Sequence, residues 1–461
     1  MPLSPHAHTA STARTAGAVV TAGIAGAVSP AGPTTDPAFA HRTAAVRLVV
    51  RTADGVPLRR AEVVVEQTRH AFRFGCIGFD LIGLANGEID STPPVFGGAS
   101  DASAPALADL WLDVFNTVTL PFYWGRFEPE RGGPDTARLL RAARWFAERG
   151  VEVKGHPLAW HTVAPAWLTD LPVDEVETAV RDRITRDVTD FAGVVDTWDA
   201  INEVVIMPVF DKEPNGLTRL AWDRGRIATV RLAFETARAA NPGATLLLND
   251  FDMSTAYECL IEGVLEAGIQ VDALGLQSHM HQGYWGEEKT LAILDRFARF
   301  GLPLHLTETT LVSGDLMPAH IEDLNDHQVD SWPSTAEGEA RQADELVRHY
   351  RTLLSHPAVA STTYWGIADE GAWLGAPAGL VRVDGTPKPA YDALRSLVRD
   401  QWWHAPTTLV TDDDGAVPVH GFLGDYVVTA GGASATFALA ATGDVLDVRL
   451  AHAPSDVVTA R

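Results

Sequence analysis

Between Phe72 and about Asp400, short runs of β-branched and apolar residues alternate with longer stretches of helical period, the pattern of strand–helix repeats. Eight runs read as strands: FRFGCIG (72–78), VFNTVTL (114–120), EVKGHPL (152–158), VVDTWDAI (194–201), TLLLND (245–250), ALGLQSH (273–279), PLHLTE (303–308) and ASTTYWGI (360–367). The stretches between them, such as ARLLRAARWFAERG and RIATVRLAFETARAANPG, carry apolar residues at helical spacing and close on Gly or Asn-Pro-Gly stops. Eight such units in roughly 330 residues predict an α/β chain folded as a closed (β/α)8 TIM barrel, with a doubly wound sheet as runner-up. Their uneven spacing makes the loops after strands 1, 4, 7 and 8 long.

The flanks follow other patterns. Residues 41–71 hold two alternating strands, VRLVV and AEVVVEQ, on either side of an Asp54–Gly55 turn, a small β element ahead of the barrel at 72–400. Residues 401–461 return to short strands and tight turns, a β appendage expected to pack with 45–72. Residues 1–40 are mostly Ala, Thr, Gly, Pro, Ser and Val, with Arg14 ahead of AGAVVTAGIAGAV (16–28). This reads as a weak export signal, giving an extracellular expectation, or as a low-complexity tail.

Composition narrows the function. The 461 residues carry 60 acidic and 36 basic side chains, a net charge of −24, which argues against nucleic acid and an anionic membrane surface as partners. No apolar run is long enough to span a bilayer. Cys76 and Cys259 fall in distant elements, so two buried free thiols are expected and neither a disulfide framework nor a structural zinc site. Thirteen tryptophans against seven tyrosines suit either a large core or a sugar-binding cleft. The chain carries no sign of its oligomeric state.

Polar and aromatic residues gather where the proposed strands end. Strand 3 runs into His156, Trp160 and His161; strand 4 into Asn202 and Glu203; strand 5 into Asn249 and Asp250; strand 6 into Gln277, His279 and His281; strand 7 into Glu308; strand 8 into Trp365, Asp369 and Trp373. In a barrel these ends converge on one face, where active sites form. Glu203 and Glu308 stand out, because an interior carboxylate must be paired or used. Glycosidic cleavage needs two: one protonates the leaving oxygen, and the other attacks or activates water. Their separation, about 5–5.5 Å in retaining and about 6.5–9.5 Å in inverting enzymes, is not readable from sequence. A salt bridge is the alternative use of each.

Six segments, in order over roughly residues 70–400, resemble glycoside hydrolase family 10, known for endo-1,4-β-xylanases. They are KGHPLAWH (154–161), WDAINE (198–203), LGLQSH (274–279), LHLTE (304–308), YWGIAD with Trp373, and DGTPKPAYDAL (384–394). The resemblance implies a retaining double displacement on a carbohydrate, without cofactor or metal. Glu203 would be the acid/base and Glu308 the nucleophile. Asn202 would bind the 2-hydroxyl of the sugar, His156, Trp160, Gln277 and His279 would line the same subsite, and Trp365 and Trp373 would form apolar platforms.

Two stretches depart from the family pattern. After strand 2 the family places Glu-Asn and a Lys that hold the next sugar on the non-reducing side. Here FNTVTLPFYWGRFEPERG (115–132) puts Leu120, Pro121, Phe122 and Tyr123 in that region, so Phe122 and Tyr123 are expected to cap or stack on substrate. The nucleophile motif often continues to an Asp that supports the strand-6 His, whereas Thr309 and Thr310 follow Glu308 here. The departures open an alternative: an exo-acting or aglycone-tolerant β-glycosidase on short oligosaccharides or plant glycosides such as saponins, with 207–222 and 311–335 shaping the leaving-group side. Two further classes compete. A metal-dependent barrel hydrolase would use His279 and His281 with His156, His161, Asp250 and Asp369. A barrel that binds carbohydrate without turnover would show affinity alone.

Overall fold

The computed structural model describes residues 36–88, 103–443 and 445–452. The export-like segment lies outside them up to residue 35, as do the last nine residues of the C-terminal appendage. Ten strands come first: β1 (Thr43–Arg51), β2 (Glu62–His70), β3 (Arg73–Ile77), β4 (Thr117–Pro121), β5 (Glu152–His156), β6 (Thr197–Asn202), β7 (Thr245–Asp250), β8 (Ala273–Met280), β9 (Leu304–Leu311) and β10 (Val359–Tyr364). Then follow β11 (Thr407–Val410), β12 (Ala416–Phe422), β13 (Gly424–Ala430), β14 (Ala433–Leu439), β15 (Val445–Arg449) and β16 (Ala451–His452).

Strands β3 to β10 are parallel, and β10 pairs with β3 through Ser361–Arg73 to Tyr364–Cys76. That pairing closes the barrel and excludes the doubly wound sheet. Each of the eight expected strands is present, with ends no more than three residues from those expected and β7 coinciding with its expected range. They are short and buried on both faces, as helix-covered parallel strands are; β6 and β9 are buried along their whole length.

The other strands form two sheets, ordered β12-β1-β15 and β11-β2-β13-β14-β16. β1 and β2 flank a turn in sequence but do not pair: β1 binds β12 and β15, and β2 binds β11 and β13. Each supplies an alternating apolar face, Val46, Leu48 and Val50 from one and Val63 and Val65 from the other, to a core shared with Val417, Tyr426 and Val428. Paired as a hairpin, they would lie in one sheet and could not face each other across that core. His70 at the end of β2 is three residues from Arg73 at the start of β3, so this β layer lies at the amino-terminal end of the barrel strands. Phe39 and Phe74 pack on Trp402 at ring distances of 5.8 and 5.9 Å. Arg42 donates to the carbonyls of Leu354, His356 and Val359 at 3.0, 2.7 and 2.6 Å. These lie at and beyond the end of helix Ala336–Ser355, where carbonyls lack intrahelical donors. The expectation of two buried thiols holds for Cys76 only; Cys259 is exposed, because it sits on the solvent side of helix Thr255–Glu266, whose Tyr257, Leu260, Ile261 and Val264 face inward.

Two local devices set the strand ends that matter below. Arg183, fully buried on helix Val173–Asp190, donates to Leu158 O at 2.5 Å, Pro157 O at 3.1 Å and Phe122 O, and pairs with Asp187 at 3.2 Å. It thereby fixes the backbone beside His156 and Tyr123. Gly155, one residue before His156, lets β5 approach β6 closely: a Cβ there would stand 2.2 Å from the Trp198 ring. Gly155→Ala is therefore expected to overpack the barrel wall and cost about 1–3 kcal/mol, read as a lowered thermal midpoint. An unchanged midpoint would show that Trp198 has room to yield.

Candidate active site

The site begins at the end of β6, where Asn202 is followed by a turn. Glu203 takes φ +56°, a left-handed conformation that costs a non-glycine residue roughly 1–3 kcal/mol. The loop after β5 and strand β7 hold it there: Asn202 N–H donates to Ala159 O at 2.9 Å and Glu203 N–H to Asn249 O at 2.8 Å. The turn directs the Glu203 side chain over the barrel mouth, 13% exposed. Glu308 needs no such device. It lies within β9, opposite Gln277 of β8, with its side chain 7% exposed.

A cage of amide and indole groups joins the two carboxylates. Glu203 Oε2 accepts from Trp160 Nε1 at 2.7 Å, and Oε1 from Gln277 Nε2 at 3.1 Å and Asn202 Nδ2 at 3.2 Å. Asn249 Nδ2 donates to both Asn202 Oδ1, at 2.7 Å, and Glu308 Oε1, at 3.0 Å, while its own Oδ1 accepts from Thr307 at 2.7 Å. Glu308 Oε2 lies 3.2 Å from His279 Nε2, and His156 Nε2 is 4.0 Å from Oε1. Trp365 packs on His156 at 5.2 Å and Trp373 on His279 at 4.8 Å; Tyr123 contacts His156 and Trp160 at 5.9 and 5.6 Å. The structure thus brings Glu203, Glu308, His156, Trp160, Asn202, Gln277, His279, Trp365, Trp373 and Tyr123 into one continuous cluster.

Several residues were not in the expected set. Asn249 is the bridge between the carboxylates; its signal was a polar residue at an interior position of TLLLND. Asp199 accepts from His156 Nδ1 and Lys154 Nζ, both at 2.7 Å, beneath the site. The partner missing after Glu308 is supplied by Thr310, whose hydroxyl is 3.3 Å from His279 Nδ1. One expectation is corrected. Phe122 does not face the cleft: it is fully buried against Phe191 and Trp198, at 4.8 and 4.7 Å, because consecutive residues at the strand end point to opposite sides. Within 119–124 only Tyr123 is less than fully buried. Asp369 is occupied with Lys388, at 2.7 Å, and the Gly379 N–H, at 2.9 Å. Among the described residues no group of three or more His, Cys, Asp or Glu is placed to hold a metal ion, and no helix is long and apolar enough to cross a membrane.

Electrostatics separate the carboxyl groups. Burial, then the charge of Glu308, pushes Glu203 up to about 8, against the pull of the Trp160 and Gln277 hydrogen bonds. Burial also raises Asp250 to about 7, although backbone N–H groups at Asp252 and Val205 favour its anion. His161, 3.9 Å from Glu203, is pushed down to about 4 by burial and stays neutral. Burial works to raise Asp199, but the Lys154 ammonium and the His156 hydrogen bond hold it below the usual range.

Residues 98–397, well over half of the chain, match glycosyl hydrolase family 10. The chain belongs to that family. It is 25% identical over 293 residues to endo-1,4-beta-xylanase B of Thermotoga neapolitana, covering 60% of this chain and 78% of that one. To endo-1,4-beta-xylanase B of Neocallimastix patriciarum it is 24% identical over 269 residues, 55% of this chain and 28% of that one. The match to an endo-1,4-beta-xylanase/feruloyl esterase of Xylanibacter ruminicola likewise covers only 40% of that relative. The chain therefore spans well under half the length of these last two. Among solved structures, the family 10 enzyme of Paenibacillus barcinonensis superposes with TM-score 0.58 at 23% identity, over 72% of this chain and 96% of that one. Xylanase 10B of Thermotoga petrophila, in complex with xylobiose, gives 0.56 at 22% identity over 71% and 94%. These similarities establish the barrel fold.

The raised Glu203 has a consequence for stability. The folded chain keeps a proton that the unfolded chain releases near the usual 4.5, so this group destabilises the fold progressively as pH rises from about 4.5 to about 8. Glu203→Gln keeps the shape and removes the ionisation. Its thermal midpoint, relative to the unmodified chain, is expected to climb over that interval and level off above it. A difference constant with pH would refute the assigned shift.

Proposed function

We propose that the chain is a retaining β-glycosidase that cleaves β-linked xylosides or related plant glycans by double displacement, in the manner of an endo-1,4-β-xylanase. The observation that carries this is the pair of carboxylates in one amide cage, with Glu203 kept protonated beside Glu308. Relatives named as xylanases support the sugar class. In the first step a Glu308 oxygen bonds to the anomeric carbon as the glycosidic C–O bond breaks, and Glu203 gives its proton to the departing oxygen. In the second, Glu203 as carboxylate takes a proton from water, whose oxygen attacks the anomeric carbon and releases Glu308. His279, Asn249 and His156 orient the nucleophile, Asn202 is placed for the 2-hydroxyl, and Trp365 and Trp373 wall the sugar. An extracellular setting belongs to this reading, since an intact polymer does not cross a membrane and Arg14–Val28 has export-like character.

Glu308→Gln is expected to lose nearly all turnover, and a fluorinated glycosyl inhibitor to label Glu308 in the unmodified chain; labelling of another carboxylate would overturn the assignment. Glu203→Ala should damage substrates with poor leaving groups most, retain part of its turnover on activated aryl glycosides and recover with azide. In the unmodified chain kcat/KM should fall on an alkaline limb near pH 8, the free acid's titration. Equal losses on good and poor leaving groups without azide rescue would remove Glu203 from this role.

A second reading, an exo-acting or aglycone-tolerant enzyme for short oligosaccharides or plant glycosides such as saponins, is favoured by one observation. The segment 119–124 offers only the Tyr123 phenol to the cleft where a polar grip would lie. An unmet sugar hydroxyl there costs roughly 1–3 kcal/mol. On this reading kcat/KM stays flat or falls as non-reducing-side units are added with the leaving group held fixed. A rise of more than about tenfold on adding the second unit, roughly 1.4 kcal/mol of transition-state binding, would return the enzyme to the internal-cleavage reading.

A further inference from the structure

The two long loops that follow the carboxylate-bearing strands touch each other. Lys212, in the loop after β6, places Nζ 3.1 Å from Asp326 and 3.6 Å from Asp323, both in the loop after β9. Two strands, β7 and β8, separate β6 from β9 in the barrel, so the ion pair joins loops rooted on strands that are not neighbours. On one side the contact leads back to Glu203: Phe210, two residues before Lys212, packs on His161 at 4.4 Å, and His161 lies 3.9 Å from Glu203. On the other it leads back to Glu308. His327, next to Asp326, packs on Trp332 at 4.6 Å; Trp332 packs on His281 at 6.0 Å and His281 on His279 at 5.8 Å, with His279 3.2 Å from Glu308. Through Asn249 and Asn202 the two carboxylates are joined below, so the contacts make a closed circuit on the β5–β9 side of the mouth.

The far loop is fastened over the end of β8. Gln282 Nε2 donates to Pro318 O at 3.0 Å and Ile321 O at 2.7 Å, and Met317 N–H donates to His281 O at 3.0 Å. The span from Lys212 to Asp326 is the one part of the circuit held by solvent-exposed charge, with Lys212 53% and Asp326 62% exposed. An exposed ion pair is weak and screened by salt. It therefore behaves as a clasp that opens, rather than as a fixed wall.

We propose that the Lys212–Asp323/Asp326 clasp roofs the leaving-group side and makes Lys212 a specificity-determining residue. This rests on the glycosidase reading, in which the leaving group departs past Glu203. A small leaving group or a chain end passes beneath the clasp. A continuous polysaccharide, extending in both directions from the cleaved bond, must wait for it to part. The clasp thus favours short substrates over polymer without touching the reacting atoms.

The test compares kcat/KM on linear β-1,4-xylan with that on an aryl β-xyloside. Lys212→Ala should raise the polymer-to-aryl ratio about threefold to fivefold, within the range one exposed ion pair supports, and leave the aryl rate within about twofold. Lys212→Glu, facing two aspartates, should raise it further, and Lys212→Arg should keep the original ratio. In the unmodified chain the ratio should climb as NaCl rises to about 0.5 M, and in Lys212→Ala it should not. A ratio within about 1.5-fold of the original in both Lys212→Ala and Lys212→Glu, including equal loss on both substrates, would overturn the clasp while leaving the glycosidase reading intact. Failure of the unmodified chain to hydrolyse either substrate would overturn the xyloside-cleaving reading on which the clasp rests, and the clasp with it.

Discussion

Two carboxylates held in one nearly buried cage cannot both ionise cheaply, and the rest of this site follows from that constraint. The groups around them are amides, an indole and imidazoles: Asn202, Gln277, Asn249, Trp160, His156 and His279. Among the described residues no Lys or Arg pairs with Glu203 or Glu308. A cation there would have pulled Glu203 down and fixed it as an anion. The buried ammonium of Lys154 is taken by Asp199, which in turn orients His156. The positive charge is neutralised one layer below the two carboxylates, and Glu203 keeps its raised pKa.

Holding such a cage requires register, which the barrel supplies. Asn202 faces Asn249 across β6 and β7, and Gln277 faces Glu308 across β8 and β9; both pairs of strands carry a register shift just before those residues. Arg183 fixes the backbone just past the second and third barrel strands, and the missing Cβ of Gly155 lets the third approach the fourth. The β layer built from both ends of the described chain lies at the opposite end of the barrel strands. There it buries Phe74 and Trp402 and completes a helix end through Arg42, leaving the carboxyl ends of the strands free for long loops.

The departures from the family pattern have local physical answers. A neutral hydroxyl, Thr310, stands where an acidic partner for His279 is usual in the family, so that imidazole faces Glu308 on one nitrogen and no charge on the other. After β4, alternation buries Leu120 and Phe122 in the wall and leaves Tyr123 to meet the cleft, which exchanges several polar contacts for one aromatic surface. At about a quarter identity to xylanase relatives, the chain thus differs from the family pattern beside His279 and after β4, while the two carboxylates stay joined in one cage.

The alternation of strand and helix, the polar residues at strand ends and the two interior glutamates were legible in the sequence. Each depends on local period or on the cost of burying a charge, and both act residue by residue. WDAINE and LHLTE were readable because a carboxylate closing an apolar strand has few uses. Sheet membership of β1 and β2 was not readable, since a turn between alternating strands leaves open whether they pair with each other or face each other across a core. The bridging role of Asn249, the pairing of Lys154 with Asp199, the burial of Phe122 and the meeting of Lys212 with Asp326 were decided only by tertiary structure. They join residues dozens to more than a hundred positions apart, and such contacts depend on strand register and loop path, quantities that no local pattern encodes.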